Sequence, residues 1–159
     1  MLLAAVAATS ASAGVPTAPP GSTQTTTTAS STATETVPAA GQGPLISKLV
    51  VSGAPTYLSD VQVFTKLFHS YPRDLTVVLT SPQGTSVYLS QEQGGLSDSA
   101  DAFSATRWSD AAGVPVARTT YGGSVATPAL SPLQPLSRFL GENPNGEWQL
   151  KVTDGTAGD

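Results

Sequence analysis

From Leu45 onward the chain is built of short runs in which apolar and polar residues alternate. Val61, Val63, Thr65 and Leu67 alternate with Gln62, Phe64, Lys66 and Phe68, so both faces of that run carry apolar side chains. Leu75, Val77 and Leu79 alternate with Thr76, Val78 and Thr80, and Val87 and Leu89 with Ser86, Tyr88 and Ser90. Trp148, Leu150 and Val152 alternate with Gln149, Lys151 and Thr153. A period of two in β-branched and aromatic runs predicts strands, because successive strand side chains point to opposite faces. Leu45–Ser52 predicts one more strand, and no run carries a clean helical period.

Turn chemistry separates the runs. Tyr71-Pro72-Arg73-Asp74, Ser81-Pro82-Gln83-Gly84 and Asn143-Pro144-Asn145-Gly146 each place Pro at the second turn position, where its φ is already near about −65°. Closely spaced strands joined this way predict an all-β, antiparallel sandwich or barrel. Residues 91–102 and 109–135 read as long loops.

Composition divides the chain near Leu45. Residues 1–44 hold one charged residue, Glu35, and no aromatic, whereas all ten aromatics lie between Tyr57 and Trp148. Aromatic side chains dominate core burial, so the folded part is expected at 45–159. Leu2 to Ala8 is a short apolar run followed by Ala11-Ser12-Ala13, the pattern of a signal peptide over 1–13, although no Lys or Arg precedes it. An Ala-rich terminus without that role is the plainer alternative. Residues 14–44 are rich in Ser, Thr and Pro and read as a disordered linker, open to O-glycosylation in an exported chain.

The whole-chain totals then exclude function classes. Fifteen Gly and thirteen Pro in 159 residues argue against a coiled coil or helical bundle. With no Cys there is no disulfide, thiolate zinc site or Cys nucleophile. A net charge of −4 and a pI near 4.7 argue against a nucleic-acid partner. No apolar run reaches the roughly 18–20 residues of a membrane helix, so no membrane span is expected.

Two longer strings are more specific. His69-Ser70-Tyr71-Pro72-Arg73-Asp74-Leu75 through Ser81-Pro82-Gln83-Gly84-Thr85 resembles the first signature of the P domain (Homo B domain) of subtilisin-like proprotein convertases. Gly141-Glu142-Asn143-Pro144-Asn145-Gly146-Glu147-Trp148 through Asp154 resembles the second. The resemblance implies a jelly-roll-like antiparallel β-sandwich that packs on a protease domain and supports its folding and stability. It also implies a secreted protein associated with serine-type endopeptidases and proteolysis. The signature positions here are His69, Tyr71, Asp74, Leu75, Ser81, Pro82, Gly84, Thr85, Gly141, Glu142, Asn143, Gly146, Trp148 and Asp154, all read as structural. Family members continue past the last Asp with a closing strand, whereas this sequence runs to Gly158-Asp159, so a domain lacking its last strand is expected. The signal and linker come directly before the P-like region, which places a protease partner downstream in cis or in trans.

Catalytic readings within the chain are weak. His69 is the sole histidine and so the one base of the usual triad type; anchoring the adjacent loop is its plainer role. Gly84-Thr85-Ser86 echoes a subtilisin nucleophile but runs on into a strand, and Gly122-Gly123-Ser124 lacks the closing Gly of a nucleophile elbow. No cofactor is required. Asp60, Asp74, Asp98, Asp101, Asp110, Glu142 and Asp154 offer oxygen ligands to calcium, with solvated loop carboxylates as the plainer reading. Asp74 has a plainer role still, its carboxylate accepting turn N–H bonds. A single His with no Cys serves zinc poorly. Trp148 reads as core, and Trp108 and Tyr121 flank the long loop where a ligand would meet an exposed ring, with ordinary packing as the plainer reading. The leading expectation is a non-catalytic accessory domain; the alternative is an extracellular binding or adhesion module with no protease attached, and an intrinsic hydrolase ranks third.

Overall fold

The computed structural model describes residues 2–9 (backbone), 25–93, 103–118 and 129–157. Its strands are β1 (Leu2–Thr9), β2 (Thr26–Ser30), β3 (Leu45–Val51), β4 (Gln62–Leu67), β5 (Leu75–Thr80), β6 (Ser86–Gln91), β7 (Thr106–Trp108), β8 (Ala129–Leu130) and β9 (Gly146–Asp154). Short 3-10 turns occur at Pro72–Asp74, Val116–Arg118 and Leu136–Phe139, and no α-helix occurs among the described residues. The strands form a five-stranded sheet, β2-β1-β4-β7-β8, and a four-stranded sheet, β3-β9-β5-β6.

One hydrophobic cluster joins the two sheets. Val63 and Leu67 of β4, Trp108 of β7 and Leu130 of β8 enter it from one sheet. Leu75, Val77 and Leu79 of β5, Val87 and Leu89 of β6, and Trp148, Leu150 and Val152 of β9 enter from the other. The period of two read in the sequence is thus the inward face of each strand, and the fold is the all-β sandwich expected. Thr65 shares the buried face of β4 because its Oγ1 accepts the Trp108 Nε1–H at 2.9 Å. A buried indole N–H needs such a partner. Trp108, which flanks the long loop, is fully buried in ordinary packing, its ring 5.3 Å from that of Phe103.

Three details depart from a simple antiparallel reading. β7 and β8 pair in parallel, Trp108 opposite Leu130. The segment read as one loop over 109–135 therefore returns the chain to run in the same direction, as parallel neighbours require. On β6 the register against β5 shifts between Val77↔Ser90 and Val78↔Tyr88. Leu89 is the extra residue of this bulge, which turns both Leu89 and Ser90 inward. Finally, the apolar run read as a leader forms β1, with Val6 opposite Val63 of β4 and Ala29 of β2. A short apolar run fits a central strand as well as a leader core. Within the stretch read as a linker, Thr26–Ser30 form β2, and Ala29 and Val37 pack against the core. The Ala11-Ser12-Ala13 cleavage pattern lies outside the described residues.

Candidate functional site

β5 and β9 are antiparallel neighbours, registered from Leu75↔Asp154 to Thr80↔Gln149. The turn before β5 therefore meets the end of β9, and the turn after β5 meets its start. Two polar clusters result, separated by a six-residue strand, or about 20 Å.

The first cluster gathers His69, Tyr71, Asp74 and Asp154. Pro72 presets the short 3-10 turn that delivers Asp74 to β5. The bend closes through the Asp74 backbone, whose N–H donates to Tyr71 O at 3.0 Å and whose carbonyl accepts the Gly155 N–H at 2.8 Å. The Asp74 carboxylate faces Arg73, Oδ1 lying 3.6 Å from Nε, a different partner from the turn N–H groups expected of it. His69 Nδ1 lies against the Tyr71 backbone, 3.2 Å from N and 3.1 Å from O. Which of the two it bonds depends on the tautomer. Its Nε2 is 3.7 Å from Asp154 Oδ2. Asp154 sits on the same inward face of β9 as Trp148, Leu150 and Val152 and is 8% exposed. Its Oδ1 accepts the Thr156 N–H at 3.1 Å.

The second cluster holds the remaining signature residues. Gly84 N–H donates to Ser81 O at 3.0 Å and Ser81 N–H to Thr85 O at 2.9 Å, closing the β5–β6 turn. The Thr85 hydroxyl donates to the Glu142 carboxylate. Leu58 is clasped between Glu142 and Gly141, its N–H donating to Glu142 O at 2.9 Å and its O accepting the Gly141 N–H at 2.8 Å. Trp148 donates its Nε1–H to Pro144 O at 2.8 Å and meets Phe139 edge-on at 5.1 Å. Gly146 touches Pro82 so closely that a Cβ there would stand 2.8 Å from Pro82 Cβ. Ser81 Oγ and Glu142 Oε2 are buried without a hydrogen-bond partner in the protein.

Sequence reasoning passed over Asn145, which occupies a variable position of the second signature. Its Oδ1 accepts the Ala54 N–H at 2.9 Å, and its Nδ2 donates to Ala54 O and to Asn143 Oδ1, each at 2.8 Å. An Asn in a Pro-containing turn is a local signal for side-chain-to-backbone bonding, but its partner lies far along the chain. Asp110, one of the carboxylates that could offer oxygen to calcium, accepts the Leu136 and Ser137 N–H groups at 2.7 and 2.8 Å. Ser86, in the string that echoes a nucleophile, opens β6 and shares a hydrogen bond of 2.9 Å with Thr80 Oγ1. Among the described residues no group of three or more His, Asp or Glu side chains is arranged to hold a metal ion. Asp98, Asp101, Tyr121 and Gly122-Gly123-Ser124 lie outside the described residues.

The strings at the two ends of β5 and β9 thus make one interlocked framework. A model of the proprotein convertase P-domain family matches residues 58–159. The chain belongs to that family. No curated protein and no solved structure matches it. In this P domain the contacts of His69 with Asp154, of Thr85 with Glu142 and of Trp148 with Pro144 join β5, β9 and the turns at their ends. Among its described residues, no helix is long and apolar enough to cross a membrane.

Proposed function

We propose that this P domain is a non-catalytic accessory module of a secreted subtilisin-like protein, stabilising a protease domain and so serving proteolysis indirectly. The observation that carries the reading is the family match over residues 58–159. The site geometry supports it: His69 faces the Tyr71 backbone and Asp154, and the signature carboxylates bond within the domain. Such a module acts by linkage, because whatever binds only the folded partner raises the partner's stability. The protease is attached in cis or met in trans outside the cell. Calcium bound at surface carboxylates would act in the same structural way.

The test is secretion of this chain together with a subtilisin-like catalytic domain of the same host. The yield of active protease and its melting temperature should rise, and the two should co-purify. A Leu75→Asp variant, which places a charge in the core, should abolish the gain. Equal protease yield and stability with and without the chain would reject the reading.

One observation favours an extracellular binding module instead. Tyr57 is 68% exposed and helps line a shallow surface groove with Pro55, Pro144, Thr25 and Thr27. The groove is too shallow to enclose a ligand, so stacking on the exposed Tyr57 ring would carry any binding. Binding to a polysaccharide panel that Tyr57→Ala abolishes would favour this second reading.

A further inference from the structure

We propose that Asn145 is a self-modifying residue, an intramolecular deamidation site whose reaction is held in check by the clamp it forms with Ala54. The chain contains two asparagines, Asn143 and Asn145. Asn143 precedes a proline, which has no backbone N–H to act as nucleophile. Asn145 precedes Gly146, the residue that least hinders attack by its own nitrogen on the preceding side chain.

The structure accounts for this labile pair. Position 146 demands glycine, because its φ is +132° and a Cβ would stand 2.8 Å from Pro82 Cβ. Position 145 uses a primary amide in full. One oxygen accepts the Ala54 N–H while the nitrogen donates to two acceptors, Ala54 O and Asn143 Oδ1. An aspartate would keep the first contact and lose both donors. A packing demand and a hydrogen-bonding demand therefore meet in the Asn-Gly sequence that is chemically least durable.

The reaction needs only water. The deprotonated Gly146 nitrogen attacks Asn145 Cγ, the N–Cγ bond forms, and the Cγ–Nδ2 bond breaks with loss of ammonia. Water then opens the succinimide at either carbonyl to give an aspartyl or isoaspartyl residue, with no change of oxidation state. While both ends of the amide are hydrogen-bonded the side chain is not free to turn toward the nitrogen, so conversion proceeds through local opening. Once formed, the carboxylate opposes the Ala54 carbonyl and Asn143 Oδ1. The segment from Ala54 to Leu58, which carries exposed Tyr57, then keeps the Ala54 N–H contact and its tether at Leu58 but loses the bond at the Ala54 carbonyl. Asn145 would thus time the loosening of this loop.

The experiment incubates the full chain at mildly alkaline pH, native and in urea, and follows tryptic peptide 139–151. The product is about 1 Da heavier and gives an isoaspartyl signal. It should form at least about tenfold faster in urea than in the native chain, and Asn145→Gln should remove it. In the separated deamidated fraction, hydrogen exchange at Ala54 should rise by about tenfold while β5 amides keep their protection. Equal rates in both states, or no product in urea, would overturn the gating. Unchanged exchange at Ala54 after conversion would overturn the latch. Reading the deamidated wild type avoids dependence on whether Asn145→Asp folds.

Discussion

His69 Nε2 stands 3.7 Å from Asp154 Oδ2, joining the residue that opens the first signature string to the one that closes the second. Both side chains are largely buried, 14% and 7% exposed. Asp154 also holds the Thr156 N–H, so Asp154→Ala removes the carboxylate beside the His69 ring and leaves that backbone donor without its acceptor. Urea denaturation should show a loss of about 1–3 kcal/mol. Asp154→Asn keeps an acceptor for Thr156 and should lose less. A full-strength Asp154→Ala protein would show that the pairing contributes nothing.

Gly146 is the position where a methyl group should do most harm for its size. Its φ of +132° and its contact with Pro82 act together. Gly146→Ala should lower stability by at least about 2 kcal/mol. Gly113 has open space around it and no positive φ, so Gly113→Ala should stay within about 0.5 kcal/mol of wild type. Thermal melts of the pair check both.

Asp110 works as a cap for the 3-10 turn at Leu136–Phe139, which sends Leu136 and Phe139 into the core. Asp110→Ala should lower stability by about 1–2 kcal/mol, the usual effect of deleting a capping side chain. Added calcium should not restore it. Restoration by calcium would mean that the carboxylate serves a metal rather than the turn.

Glu147 is an exposed residue of β9, which lies between β3 and β5, and its carboxylate stands 3.0 Å from Lys48 Nζ. The hydrogen bond from Lys48, and after it that from Gln149, lowers its pKa below the ordinary 4.5. A carboxylate with a depressed folded value adds stability that is complete above 4.5 and is lost as pH falls through the folded value. The gain is small because solvent screens an exposed pair. NMR titration should place the Glu147 midpoint below 4.5, and Lys48→Met or high salt should move it back. An unmoved midpoint would exclude Lys48 as the cause.

The strands were legible in the sequence wherever one face is buried. Leu75, Val77 and Leu79, and Trp148, Leu150 and Val152, alternate because a strand has a fixed period of two. The bulge at Leu89 was not legible, since Ser90 reads as the outward partner of Leu89 and faces inward only because the register shifts. The side on which Trp108 lies was not legible because its strand is three residues long, too short for alternation to show. The pairing of Leu2–Thr9 with β4 was not legible either, because an apolar run carries no sign of whether a neighbouring strand awaits it.

Local chemistry alone determined the all-β class, the Pro-led turns and the two strings that place the chain in its family. Each rests on residues a few positions apart, where backbone geometry decides the outcome. Pairing decided the rest: the parallel contact of β7 with β8, the meeting of His69 with Asp154, and the clamp of Asn145 on Ala54. Those contacts join distant residues, and they follow from the register of β5 on β9 and from which chain segment lies beside which. Register is set by burying one face of every strand at once, a condition that no single stretch of sequence contains.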